Sequence, residues 1–121
     1  MHNFKELQVW KLSKDFCIEI YKVTKNFPAS EKYGITSQLT RAAVSVPSNI
    51  AEGSSRKSDK DFSRFIDIAL GSSYELETQL IIALELELIA KDEFLKLDEN
   101  LNEIQKKLYN FNKYIQQQIK K

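Results

Sequence analysis

Apolar side chains recur along this chain at intervals of three and four, the spacing that lines one face of a helix. Val9, Leu12, Phe16, Ile20, Val23 and Phe27 make the first such stripe. Trp10, Cys17, Tyr21 and Thr24 widen it to about half the circumference. The spacing predicts a helix over residues 7–26, stopped by Phe27-Pro28 because a residue before proline avoids helical dihedrals.

Ile35, Leu39, Ala42, Ala43, Val46 and Ile50 form the stripe of a second helix, and its paired alanines admit a close neighbour. Ser30 is expected to cap it, and Gly53 to end it in the left-handed conformation. Pro47 lies inside this helix, where it removes a backbone donor and crowds the carbonyl of Ala43. A kink near Val46 and Pro47 is the expected result.

A third helix is predicted over residues 59–88, about 45 Å at ~1.5 Å per residue. Ser58 and Asp61 have capping-box spacing, with aspartate in place of the usual glutamate. The core stripe is Phe62, Phe65, Ile66, Ala69, Ser73, Leu76, Leu80, Ala83 and Leu84. Gly71, Ser72 and Ser73 thin its middle. Glycine costs about 1 kcal/mol of helix propensity relative to alanine, so tight packing is expected to offset it.

Two further apolar strips flank this stripe: Leu70, Tyr74, Ile81 and Leu88 on one side, Ile68, Ile82 and Leu86 on the other. A helix of a lone four-helix bundle needs one stripe. Large exposed apolar patches are uncommon on monomers, so the surplus is expected to face another copy of the chain. Longer neighbouring helices in the same subunit are the competing cover.

After Ala90-Lys-Asp92, Phe94, Leu97, Leu101, Ile104, Leu108, Phe111 and Ile115 form the seam of a fourth helix over residues 92–118. Lys113, Lys120 and Lys121 suit its negative end. Four helices with short connections predict an all-α, antiparallel up-down-up-down four-helix bundle. At 121 residues the chain has room for a single domain, 1–121.

Composition narrows the picture further. With 3 glycines and 2 prolines the chain lacks the turns of a sandwich or barrel, and 42% hydrophobic content disfavours disorder. Cys17 is the only cysteine, which excludes an internal disulfide and suits a reducing cytoplasm. The first residues lack the apolar run of a signal peptide, and no stretch is long enough to span a membrane.

A net charge of +1 leaves any electrostatic argument to local distribution. Lys11, Lys14, Lys22 and Lys25 share the outward stripe of the first helix, either as a solvated face or as a nucleic-acid contact. Gln38, Arg41, Ser45, Asn49 and Glu52 form a polar stripe on the second helix, suited to inter-helix hydrogen bonds or plain exposure. Arg56, Lys57, Lys60 and Arg64 surround the turn into the third helix, where cations and free amides would meet phosphates. Glu52, Asp59 and Asp61 dilute that cluster. Asp67, Glu75, Glu77, Glu85 and Glu87 make the rest of the third helix acidic, a charge that would register against a basic stripe of a neighbouring copy, with ordinary solvation as the competing explanation.

Catalytic patterns are missing. His2 is the only histidine, which removes the Glu-x-x-His pairs of a di-iron bundle. Glu75/Glu77 and Glu85/Glu87 are two apart, so the members of each pair diverge by about 200° around the helix. No phosphate-binding glycine loop or nucleophile elbow is present. Neither enzyme activity nor a cofactor is expected.

Several segments taken together resemble a known family. They are Phe4-Lys-Glu-Leu-Gln-Val-Trp10, Phe27-Pro28, Tyr33-Gly-Ile-Thr-Ser-Gln-Leu39, Arg41-Ala-Ala-Val-Ser-Val-Pro-Ser-Asn-Ile-Ala-Glu-Gly53 and Gly71-Ser-Ser-Tyr-Glu-Leu-Glu-Thr-Gln-Leu80. The chain resembles the four-helix-bundle family named after intervening sequences of bacterial 23S ribosomal RNA genes, also called the S23 ribosomal protein family. The resemblance implies an antiparallel bundle that assembles as a homopentamer. It also implies kinship with the accessory variability protein of retroelements, a pentameric barrel whose expected partners are nucleic acid and a reverse transcriptase. It brings no catalytic residues and does not imply a place in the mature ribosome. Where relatives often carry two successive arginines, this chain has Thr40 before Arg41, one cation fewer.

The combined expectation is a non-enzymatic oligomeric bundle that binds RNA, DNA or a nucleic-acid-handling protein through its basic groups. The alternative is a homo-oligomeric ring that scaffolds other proteins without touching nucleic acid.

Overall fold

A computed structural model describes residues 3–119; His2, Lys120 and Lys121 lie outside them. Four helices carry the chain: α1 (Gln8–Thr24), α2 (Ile35–Ser54), α3 (Asp59–Glu85) and α4 (Lys91–Ile119). Short 3₁₀ turns at Phe4–Glu6 and Ala29–Glu31 are the remaining helical elements among the described residues.

One buried cluster draws on all four helices, with Ile20, Leu39, Ile50, Phe62, Ile66, Leu80, Leu101 and Leu108 almost wholly removed from water. Each such side chain contributes about 1.5–3 kcal/mol of transfer free energy. The stripes predicted for α1, α2 and α4 supply most of this core. Ser13, a buried addition to α1, donates its hydroxyl to the Trp10 carbonyl at 3.1 Å.

Cross-helix pairings fix the directions. Ser63 and Asp67 of α3 reach Asn112 of α4, whereas Ser73 and Glu77, further along α3, reach the earlier Gln105. Ser45 of α2 meets Ser72 of α3, and the later Gly53 abuts the earlier Phe62 and Phe65. Between α1 and α4, Leu12 and Phe16 lie opposite Ile104, and Val23 opposite Leu97. Each pairing climbs one helix while descending the other, so the two helices in each of these three pairs run antiparallel.

The helix ends depart from expectation in three places. Ser30 does not cap α2. It falls inside the 3₁₀ turn, and after Gly34 donates to the Glu31 carbonyl at 3.0 Å, α2 begins at Ile35 with no side-chain cap. Gly53 is not a left-handed stop either, because α2 continues to Ser54 and no described glycine has positive φ. A β-carbon at Gly53 would lie 2.6 Å from Cβ of Phe65 and 2.9 Å from Cδ1 of Phe62, so glycine is needed for the approach of α3.

Third, α3 stops at Glu85 rather than residue 88. Glu87 adopts φ 61°, its amide donates to Leu84 at 3.0 Å, and the Leu88 amide donates to Ala83 at 2.9 Å. These two bonds form the Schellman termination, with glutamate where glycine is usual. Leu88 then packs on the core and Ile89 is buried.

Inside α2, Pro47 is buried and the helix runs across it unbroken. Val46 and Ile50 anchor both sides of the proline in the core, offsetting the ~3 kcal/mol that an interior proline costs. At the start of α3, the Ser58 hydroxyl accepts from the Asp61 amide at 3.1 Å, the forward half of the expected capping box.

Candidate functional site

Placed on this scaffold, the cations fall into three groups. Lys11, Lys22 and Lys25 are exposed on the outward side of α1. Lys14 is half-buried, 2.8 Å from Asp15 and 5.8 Å from the centre of the Trp10 ring. Exposed Ile18 and Tyr21 sit among these lysines.

The second group is the turn between α2 and α3. Arg56 is held by Glu52 at 3.2 Å and stacks 4.7 Å from the centre of the Phe65 ring, and Arg64 is held by Asp61 at 3.4 Å. Lys57 and Lys60 are exposed and make no ion pair among the described residues. Ser58 already occupies one helix-start amide, and Asp59 and Asp61 bring negative charge into the first turn.

Arg41 stands apart from both groups. It is exposed in a groove of about 490 Å³ between α2 and α3, lined also by Gln38, Ala42, Ser45, Glu75 and Gln79. The polar stripe of α2 does make an inter-helix bond here: the Ser45 and Ser72 hydroxyls lie 2.8 Å apart, and Asn49 donates to the Ser45 hydroxyl at 3.0 Å.

The extra apolar strips of α3 divide. Leu70 and Leu88 are partly buried against the subunit's own core. Ile68, Tyr74, Ile81, Ile82 and Leu86 remain 46%, 52%, 41%, 43% and 58% exposed, so the other helices of the subunit do not cover them. Gly71 belongs to this outer side, not to a packed small-residue patch: it is exposed, and a β-carbon there would meet nothing within 4 Å.

Sequence periodicity overlooked a polar seam between α3 and α4. Asn112 accepts from the Ser63 hydroxyl at 2.6 Å and donates to Asp67 at 2.7 Å, while Gln105 donates to Glu77 at 3.1 Å. Asp98, Gln105 and Asn112 recur every seven residues beside the apolar seam of α4, and that repeat is the available sequence signal. Burial raises the Glu77 carboxyl pKa, and the neighbouring Asp98 carboxylate raises it further, against the opposing hydrogen bond from Gln105. The seam joins helices; among the described residues no three His, Cys, Asp or Glu side chains gather as metal ligands.

No described helix is long and apolar enough to cross a membrane. No curated protein matches the chain. A crystal structure of a protein of unknown function from the S23 ribosomal protein family of Bacteroides thetaiotaomicron is similar, with a TM-score of 0.81 and 26% identity. The match covers 87% of this chain and 95% of that one. The sequence profile of the 23S rRNA-intervening sequence proteins matches residues 5–110. With four helices in this arrangement and most of its length matched, the chain belongs to the 23S rRNA-intervening sequence protein family.

Proposed function

We propose that this protein is a non-enzymatic, homo-oligomeric helical bundle that binds RNA or DNA, alone or within a nucleoprotein, in the cytoplasm. The observation that carries the reading is the outer side of α3, where Ile68, Ile82 and Leu86 stand in water although the same helix supplies much of the core. Burying that side against a second copy removes the apolar surface, and exposed Gly71 leaves room for a close approach. Where that side meets a different face of the next copy, the contact repeats head-to-tail and forms a ring if the rotation closes, and five copies is the number the family resemblance implies.

Nucleic-acid binding is supported by the exposed Lys57 and Lys60, which make no ion pair among the described residues, by the exposed lysines of α1, and by a family name tied to ribosomal RNA. Contacts of this kind read phosphate rather than sequence. Titrating a fluorescent structured RNA at low and high salt tests the reading. Affinity should fall steeply with salt, and Lys57→Ala with Lys60→Ala should weaken binding of all sequences alike while flattening the salt slope by roughly 2. The absence of any complex at low ionic strength would sink nucleic-acid binding and leave a protein scaffold.

A further inference from the structure

The bundle end where α1 gives way to α2 carries a groove of about 400 Å³ whose lining includes Tyr21, Lys25, Lys32, Tyr33, Thr36 and Thr40. Its residues converge for local reasons. Tyr21 comes from the outward edge of α1, and Lys25 is the residue that caps its C-terminal end. The 3₁₀ turn and the backbone turn at Gly34 place Lys32 and Tyr33 at the surface, and the first turns of α2 add the two threonines.

Three features come together at this groove. Tyr33 is 90% exposed, Tyr21 is 47% exposed, and the Lys32 ammonium lies 5.5 Å from the centre of the Tyr33 ring. No carboxylate is among the residues that line the groove, in contrast to the α2–α3 turn with its three acidic neighbours, although the Glu31 carboxylate lies beside Gly34. The Thr36 hydroxyl is buried at its edge and has no hydrogen-bond partner among the described residues. Lys25 and Lys32 make no ion pair among the described residues, and cations beside exposed aromatic faces are the two components of a single-strand binding surface: lysines draw the phosphates, and rings stack on bases of any identity.

We propose that this groove binds single-stranded RNA or DNA, with a base stacked on Tyr33 and the adjoining phosphates held by Lys25 and Lys32. The proposal rests on the nucleic-acid reading above and gives it a form. A duplex keeps its bases stacked on one another and offers none to Tyr33, so the groove discriminates single strands from duplexes. The site is separate from Lys57 and Lys60, which lie at the opposite end of the 20-residue α2, about 30 Å away along its axis.

The test is anisotropy of fluorescein-labelled oligouridylate and oligoadenylate dodecamers, and of a duplex of equal length, titrated with the full chain at low salt. Single strands should bind more tightly than duplex. Tyr33→Ala should weaken single-strand binding about five- to a hundred-fold while Tyr33→Phe retains it. Lys25→Ala with Lys32→Ala should lower the salt slope by about 1.4. Tyr33 is too exposed for these losses to reflect unfolding, and an unchanged far-ultraviolet circular dichroism spectrum checks that. Duplex binding as tight as single-strand binding, or a Tyr33→Ala protein indistinguishable from the wild type, would overturn the groove. The broader reading would survive that result if Lys57→Ala with Lys60→Ala still weakened binding. A wild-type chain that binds neither form would bring down both.

Discussion

Gly53 and Phe65 are in closer contact than any side chain at position 53 would allow: a β-carbon there would stand 2.6 Å from Cβ of Phe65. Cβ of Phe65 is fixed to the α3 backbone, so it cannot swing aside as the end of a flexible side chain would. Gly53→Ala therefore has to push α2 and α3 apart. The gain in helix propensity, about 1 kcal/mol, is outweighed by overpacking of about 1–3 kcal/mol or more. The urea midpoint of this variant is expected to fall, and an unchanged or raised midpoint would show that the two helices are not held this closely.

Glu87 carries the opposite prospect. Its φ of 61° lies in the left-handed region, which costs a residue with a β-carbon about 1–2 kcal/mol. Its side chain is exposed, so little contact would be lost on truncation. Glu87→Gly is expected to stabilise the chain by about 0.5–1 kcal/mol after the added freedom of the unfolded glycine is counted. Chemical denaturation reads the difference directly, and a destabilised variant would contradict the Schellman ending of α3.

The Glu77 carboxyl has a raised pKa in the folded chain, first through burial and then through Asp98. A carboxyl with a raised folded pKa binds its proton more readily in the folded state. Its favourable contribution is therefore present below the unfolded value near 4.5 and is lost as pH rises through the folded value. Glu77→Gln keeps an oxygen to accept from Gln105 and removes the charge facing Asp98. The variant should be more stable than the wild type at neutral pH, with the gap closing in acid. Because Glu77 is only partly buried, the effect is small. Paired denaturation curves at neutral and acid pH measure it, and a gap that widens in acid would refute the assignment.

Much of this fold was legible because burial repeats at the helical period. Leu39, Ile66 and Leu108 announce their faces by their neighbours three and four residues away. What periodicity left out depends on partners distant in sequence. Asn112 is buried because Ser63 and Asp67 satisfy it, and nothing adjacent to Asn112 says so. Gly53 has the signature of a helix stop, yet its reason is the bulk of Phe62 and Phe65 on another helix. Composition around Arg56 and Arg64 showed acidic residues diluting the cluster, but not that Glu52 pairs with Arg56 and Asp61 with Arg64. Tyr33 was read only as part of a family motif, because exposure of an aromatic ring has no sequence period.

Self-assembly through the outer side of α3 is the claim on which the functional reading turns, and sedimentation velocity at micromolar concentration tests it most directly. The account predicts a species several times heavier than the 14.1 kDa chain. Ile82→Glu should reduce it to a folded single copy, since Ile82 is 43% exposed and contributes little to the subunit's own core. A wild-type protein that sediments as a lone 14.1 kDa chain would contradict the account.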